Sequence, residues 1–147
     1  QIGEMRDLET IQAALRAAET GHLVMATLHT NDAIQSVDRV IDVFPAEQQQ
    51  QIRFMLSMTL LGIISQRLLP KKGKQGRVLA AELLVNNTAV ANLIREGKTH
   101  QVYSIMETNT REGMLTMDKA IKNLYMQGEI SYEEAIAHVR DPKSFAK

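Results

Sequence analysis

The sequence predicts an α/β fold, with a parallel sheet in the first part of the chain and mostly helices after it. The run 23–28 is short and apolar throughout, which is typical of a strand covered on both faces of a parallel sheet. Before it, apolar residues recur at helical spacing between Asp7, a suitable N-cap, and Gly21, a suitable left-handed C-cap. This helix has the position of a crossover between two parallel strands.

Two polar side chains follow the predicted strands. Glu4 comes after an apolar stub at the start of the chain, and His29 follows the run 23–28. A right-handed crossover brings both strand ends to one edge of the sheet, where α/β proteins bind ligands. A carboxylate there can hold the shell of Mg²⁺ or polarise water, and a histidine can stabilise phosphate charge. The alternatives are an ordinary charge near a helix dipole for Glu4 and a structural role for His29.

The remaining elements are predicted from apolar spacing and capping residues. The loop 70–76, with Lys71, Lys72 and Lys74, is interpreted as a solvated turn rather than a lipid-binding patch. A strand is predicted at 77–85. Helices are predicted from Thr30 or Asn31 to Phe44, and over residues 46–68, 88–96, 99–108, 114–127 and 131–139.

The amino-acid composition limits which partners, which cysteine chemistry and which cellular location are expected. Seventeen basic residues balance seventeen acidic ones, so the chain has no basic footprint and a nucleic-acid partner is not expected. The absence of cysteine excludes a disulfide framework and a thiolate zinc site. No run approaches the roughly 18 apolar residues of a membrane span or resembles a secretion signal, which favours a cytoplasmic protein. Because the chain begins at Gln1, in mid-strand, we expect the C-terminal portion of something longer.

Three segments, in order along the chain, resemble the secretion ATPase superfamily. Residues 3–7, Gly-Glu-Met-Arg-Asp, resemble its Walker B region, and residues 21–32 resemble its histidine box. Residues 89–97 resemble the C-terminal signature of the PilT family, usually written Ala-Ile-Arg-Asn-Leu-Ile-Arg-Glu, with Val90 as a mild departure and Ala91 in place of the first arginine. The resemblance covers most of the chain and is closest to PilT, the hexameric motors that retract type IV pili.

The resemblance implies the C-terminal part of a RecA-like ATPase core, residues 1–86, followed by a helical C-terminal region, residues 87–147. It implies a homohexamer that uses ATP and Mg²⁺ at the cytoplasmic side of the inner membrane, with a membrane platform protein as partner and pilin as an indirect one. The phosphate-loop motif Gly-x-x-x-x-Gly-Lys-Ser/Thr does not occur in this sequence. The resemblance places it upstream of Gln1, so the chain alone is not expected to hydrolyse ATP.

The resemblance also assigns residues to roles. Glu4 and His29 are the expected catalytic residues. About 3.3 Å per strand residue places His22 roughly 23 Å from His29, so the two do not contact one phosphate within a subunit. The residues expected to support the nucleotide and Mg²⁺ are Gly3, Arg6, His22, Thr27 and Thr30. The expected retraction signature is Asn92, Leu93, Ile94, Arg95 and Glu96, with an ordinary amphipathic helix as the alternative.

Two arginines are weaker candidates. Arg39 and Arg67 could complete a neighbouring subunit's site, as arginines do in ring ATPases, with solvated surface charge as the alternative.

Assembly and type II secretion ATPases commonly carry a Cys-x-x-Cys zinc module after the segment that here is 65–70, so its absence favours a retraction-type motor. The alternatives are another secretion ATPase, for transport or DNA uptake, and a non-catalytic oligomerisation or docking module.

Overall fold

The computed structural model describes residues 1–73 and 75–145, which form helices packed around one antiparallel hairpin. Short 3₁₀ turns occur at residues 99–101, 110–112 and 142–145. No helix in these two ranges has the length and apolar character needed to cross a membrane. The elements are α1 (Leu8–Glu19), α2 (Ala33–Asp42), α3 (Ala46–Thr59), β1 (Gly62–Pro70), β2 (Arg77–Val85), α4 (Thr88–Arg95), α5 (Val102–Thr108), α6 (Met117–Met126) and α7 (Tyr132–His138).

Residues 23–28 lie beside the first residues of the chain and run parallel to them. Ile2 and Ala26 form a parallel bridge, so the predicted parallel arrangement is confirmed at this point. The expectation of a strand covered on both faces is wrong, because Leu23 is 71% exposed and Met25 is 58% exposed. Within the described residues the segment pairs only with the start of the chain, so it lies outside the larger sheet that such a strand would need for cover.

Aspartates begin both helices that flank this segment. Asp7 accepts a hydrogen bond from the backbone N–H three residues on at 2.8 Å, which confirms the predicted N-cap of α1. For α2 the N-cap is Asp32, which accepts from the third following N–H at 2.7 Å, so the prediction of Thr30 or Asn31 is wrong. The hydroxyl of Thr30 instead contacts that of Ser36. A carboxylate accepts a capping hydrogen bond well, which favours the later start.

The predicted helix over residues 46–68 is wrong in its second part, because α3 ends at Thr59 and β1 begins at Gly62. In β1 the buried positions are Ser65 and Leu69. The apolar residues Ile64 and Leu68 are also four residues apart, and this interval fits both a helix and a strand, so the apolar spacing did not separate the two. Backbone pairing with β2, along the whole of both strands, decides in favour of the strand.

The C-terminal helices follow the predictions with local differences. The predicted strand at 77–85 and the helices near 88–96 and 131–139 are confirmed, and the one at 99–108 begins as a 3₁₀ turn. The helix predicted from residue 114 begins only at Met117. Its first predicted residues extend instead, because Leu115 exchanges backbone hydrogen bonds with Leu83 of β2 at 2.8 and 2.9 Å.

Two apolar clusters hold the helices against the hairpin. The first contains residues of the five helices from α1 through α5 and Leu84 of β2. It therefore includes residues from both sides of position 87. The boundary predicted there stays a prediction. The second joins α6 and α7 to Leu69 and Ala80 of the hairpin. Phe145 is buried in it, at the end of the 3₁₀ turn over residues 142–145, so this part of the C-terminal tail packs against the second cluster. Lys74 of the predicted loop, Ala146 and Lys147 lie outside the described residues.

Candidate functional site

A small cleft of about 240 Å³ lies where the start of the chain meets the segment after residue 28. Backbone hydrogen bonds set the two segments side by side, with the Ile2 N–H donating to Met25 at 2.8 Å and the Met5 N–H to Thr27 at 3.0 Å. The pairing places the two predicted strand ends at one edge, as the sequence indicated. The cleft is lined by Glu4, Met5, Arg6, Leu28, His29 and Arg39.

The carboxylate of Glu4 is the centre of this cleft. Its Oε1 lies 2.6 Å from Nε of Arg6 and 3.4 Å from Nε2 of His29. The Arg6 guanidinium, by hydrogen bond and by charge, lowers the pKa of Glu4, and His29 adds to this effect. Glu4 is therefore an anion at neutral pH. It is also the more shielded partner, with its side chain 26% exposed against 81% for His29.

Two threonines hold the backbone around these residues. The Thr27 hydroxyl donates to the carbonyl of Gly3. The Thr30 hydroxyl lies 2.5 Å from that of Ser36, which donates to the carbonyl of Asp32 at 2.9 Å. These bonds fix the segments on both sides of His29. Gly3 has no packing reason to be glycine, since a Cβ there would meet no atom within 4 Å. The nucleotide roles predicted for Gly3, Thr27 and Thr30 stay predictions.

His22 lies apart from this cleft, at the C-terminal end of α1. Its Nδ1 is 3.1 Å from the Thr20 hydroxyl and 3.2 Å from the carbonyl of Ala17. Gly21, just before it, has a φ of 90° and occupies the left-handed position that was predicted to end α1. The structure thus places His22 among helix-capping groups rather than with Glu4, and its nucleotide role stays a prediction.

The two candidate arginines have different surroundings. Arg39 of α2 is exposed and lines the same cleft as Glu4 and His29. Arg67 of β1 is half-buried, and its Nη1 donates to the carbonyl of His138 at 2.9 Å, at the end of α7. A guanidinium in this position satisfies a terminal helix carbonyl. Roles for both arginines between subunits stay predictions.

The signature residues lie on α4 and just after it. Ile94 is fully buried, and Leu93 packs against the first apolar cluster. Glu96 is exposed and pairs with Lys98 at 2.8 Å, while Asn92 is exposed. The alternative of an amphipathic helix therefore describes the apolar residues well. Arg95 does not fit this alternative.

Arg95 is half-buried rather than solvated. Its guanidinium carbon lies 5.9 Å from the ring centroid of Phe54 on α3, within the range of a cation–π contact. Its carbonyl accepts a hydrogen bond from Nε2 of Gln50, also on α3, at 3.3 Å. Its Nε is buried and has no hydrogen-bond partner among the described residues. Arg95 thus joins α4 to α3 while leaving one buried donor unsatisfied.

Sequence reasoning missed a buried carboxylate, Glu82 of β2. It is 3% exposed and accepts hydrogen bonds from the backbone N–H of Ala33 at 2.7 Å and of Met117 at 3.2 Å. Burial raises the pKa of Glu82, and the two N–H donors lower it in part. The available signal was a single acid inside an otherwise apolar strand, flanked by Ala81 and Leu83.

A larger cleft of about 530 Å³ lies between α2, the hairpin and the C-terminal helices, and Glu82 is part of its wall. Its polar groups bind one another. Asp118 accepts from the N–H groups of Arg140 at 2.8 Å and Asp141 at 3.1 Å. The Arg140 guanidinium lies 4.6 Å from the ring centroid of Tyr103, whose pKa is raised by burial to about 12. This arrangement joins α6 to the end of α7.

Comparison with known families decides what kind of protein carries the smaller cleft. The family model of type II/IV secretion system proteins matches residues 1–137. The chain belongs to this family. It is 51% identical to the type IV pilus retraction ATPase PilT of Pseudomonas aeruginosa over 98% of its length, and 48% identical to a twitching motility protein of Neisseria gonorrhoeae over 99%. The predicted likeness to PilT is confirmed.

Solved structures give the same result for the fold. The crystal structure of the pilus retraction motor PilT with bound ADP matches 97% of this chain with a TM-score of 0.85 and 58% identity. The ATPase DotB of Legionella pneumophila matches 92% with a TM-score of 0.78 and 33% identity. The predicted fold class is therefore confirmed. The chain spans 42% and 39% of the two curated relatives and 39% of the PilT crystal chain, so it corresponds to about two-fifths of such an ATPase.

Proposed function

We propose that the protein, at the full length of its relatives, is an ATP-hydrolysing motor that retracts type IV pili and so drives twitching motility. The cleft around Glu4 and His29 is proposed as part of its nucleotide site. The observation that carries this proposal is the 3.4 Å approach of Glu4 and His29 at the ends of two parallel segments. Support comes from the names of the relatives, a retraction ATPase and a twitching motility protein, and from the ADP in the similar PilT structure.

Each polar or charged residue that lines the cleft has a proposed task. Glu4, held as an anion by Arg6, is the hard oxygen ligand or the water-polarising group. His29, the more exposed of the pair, hydrogen-bonds the phosphate as charge develops. Arg39 adds a positive charge to the same wall. The donor set fits Mg²⁺, which takes one or two protein carboxylates together with nucleotide phosphates and would neutralise charge on those phosphates.

The assembly and its partners are proposed on the same basis. We propose a homohexamer at the cytoplasmic side of the inner membrane, acting on pilin through a membrane platform protein and on no nucleic acid. The sequence of this chain contains no phosphate-loop motif. We therefore propose that the chain alone is inactive and that a complete site needs the rest of an ATPase of the relatives' length.

The test is ATP turnover by the full-length protein, measured beside its Glu4→Gln variant. Loss of the carboxylate should lower turnover about a hundredfold or more, while the ring still assembles in size-exclusion chromatography. Glu9→Gln is the matched control, since Glu9 is an exposed glutamate of α1 outside the cleft and its variant should keep normal turnover. Equal turnover in the wild type and Glu4→Gln contradicts the role of Glu4. Absence of turnover in both favours a non-catalytic docking module.

A second candidate is a motor for another secretion system. It is favoured by the 32% identity with the type II secretion system protein HxcR of Pseudomonas aeruginosa. Deleting the gene separates the two candidates. Loss of pilus retraction with normal protein secretion supports the first, and the reverse phenotype supports the second.

A further inference from the structure

One carboxylate holds the first turns of two helices that lie far apart in sequence. Glu82 accepts from Ala33, the first residue of α2, and from Met117, the first residue of α6. First-turn N–H groups have no partner within their own helix, so each needs an acceptor from elsewhere. Asp32 and Thr116 cap the same helices from within the chain's local sequence. Glu82 therefore adds a second, shared acceptor to both helix starts.

The α2 side of this bridge leads directly to the nucleotide cleft. Two residues, Asn31 and Asp32, separate α2 from Thr30, and Thr30 is hydrogen-bonded to Ser36 within α2. His29 precedes this bonded pair by one residue. The first turn of α2 is therefore tied by hydrogen bonds to the residue that directly follows His29.

The α6 side of the bridge leads to the C-terminal helices. Asp118, in the first turn of α6, accepts from the backbone of Arg140 and Asp141, just after α7. Arg67 fixes the end of α7 to the hairpin through the carbonyl of His138. The start of α6 is thus connected to the end of α7 by hydrogen bonds.

Two opposing effects act on the charge of Glu82. The positive ends of two helix dipoles meet at it, which favours a carboxylate over a neutral acceptor. Burial opposes the same charge, and an apolar residue in a strand would avoid that cost. The carboxylate of Glu82 therefore connects the starts of α2 and α6 at a cost in desolvation.

We propose that Glu82 is a positioning residue that couples α2 to α6, so that a change at the cleft of Glu4 and His29 is transmitted to the C-terminal helices. The bridge itself stands on the hydrogen bonds described above. Its transmission of a nucleotide signal rests on the proposed function.

The bridge is tested by amide hydrogen exchange on the full-length protein without nucleotide. Glu82→Gln keeps the side-chain shape but leaves a single acceptor oxygen and an NH₂ group. The amide of Ala33 or of Met117 should then exchange about tenfold faster or more. Glu107→Gln, an exposed glutamate of α5, is the control and should change neither amide. If Glu82→Gln fails to fold, Glu82→Asp keeps the charge and is one methylene too short to reach both helices. Unchanged protection of both amides in a folded variant overturns the bridge.

Transmission is tested by repeating the exchange with ADP and Mg²⁺. In the wild type, protection should change both at residues 29–36 and at the start of α6. In Glu82→Gln the change should remain at residues 29–36 and disappear at α6. An equal response of α6 in the variant, or no response of α6 in the wild type, overturns the coupling. A wild type without any response at residues 29–36 contradicts the proposed function instead, and the exchange without nucleotide then decides the bridge by itself.

Discussion

Nε2 of His29 lies 3.4 Å from Oε1 of Glu4, across two segments that run parallel at the start of the chain. The two side chains are not equivalent, since that of His29 is 81% exposed and that of Glu4 is 26% exposed. A phosphate entering the cleft would meet the imidazole first and the carboxylate behind it. This order matches the tasks proposed for them, a phosphate donor and a shielded anion.

His29→Ala should lower ATP turnover of the full-length protein about a hundredfold or more, because it removes a donor aimed at developing phosphate charge. His22→Ala is the matched control. His22 is equally a surface histidine, but its contacts are with Thr20 and Ala17 at the end of α1. Its variant should lose less turnover than His29→Ala, because His22 lies outside the cleft of Glu4 and His29. Steady-state ATPase assays on both variants check this, and a larger loss for His22 than for His29 would reverse the assignment.

The free energy of unfolding should depend on pH through the carboxyl group of Glu82. Its pKa in the folded chain is raised above the ordinary value of 4.5, chiefly by burial. The folded state therefore holds this proton longer than the unfolded state as pH rises from about 4.5. The contribution of Glu82 to the free energy of unfolding is largest below that pH and falls as pH rises toward the folded pKa. Urea unfolding from about pH 4.5 to about pH 8 should show this fall in the wild type relative to Glu82→Gln.

The control for that series is Asp7→Asn, because asparagine also caps helices well. The backbone N–H of Thr10 lowers the pKa of Asp7 below its ordinary value of 3.8. The stabilising contribution of Asp7 is present above that value and is lost only as pH falls through the folded pKa. The stability difference between wild type and Asp7→Asn should therefore stay flat above about pH 5. A flat difference for Glu82→Gln as well would contradict its raised pKa.

Glu4 and Glu82 show what the sequence could and could not predict. Glu4 and His29 were predictable, because a topological rule brings the ends of neighbouring parallel strands to one edge. Glu82 was not, because its donors lie 49 and 35 residues away and are backbone groups without a sequence signature. The hairpin strand β1 was predicted as helix because its apolar spacing fits both periods. Pairing with β2, a long-range effect, decides that case.

Arg95 should matter less for folding than its neighbour Ile94. The contact of Arg95 with Phe54 stabilises by about 0.5 to 1 kcal/mol, but its buried Nε lacks a partner within residues 1–73 and 75–145, which offsets that gain. Arg95→Met should thus change the free energy of unfolding by less than about 1 kcal/mol. Ile94→Ala should cost about 2 to 5 kcal/mol, because Ile94 is fully buried. Urea unfolding of both variants measures the difference.

Because Arg95→Met should change stability little, this variant tests whether the predicted retraction signature has a role in function. If the variant folds and assembles normally but retracts pili poorly, the defect belongs to function rather than to folding. A destabilisation as large as that of Ile94→Ala would instead give Arg95 a structural role and leave its place in the signature without support.

Among the glycines that do not have a positive φ, Gly62 at the start of β1 should be the least tolerant of a side chain. A Cβ there would lie 2.7 Å from the carbonyl oxygen of Leu84, closer than such atoms approach. Because that oxygen belongs to the backbone of β2, relief requires the two strands to separate. Gly62→Ala should therefore lower the free energy of unfolding by about 1 to 3 kcal/mol. Gly3→Ala, where a Cβ meets nothing within 4 Å, should leave it unchanged. Equal midpoints for the two variants in urea unfolding would show that the hairpin can open at this end without cost.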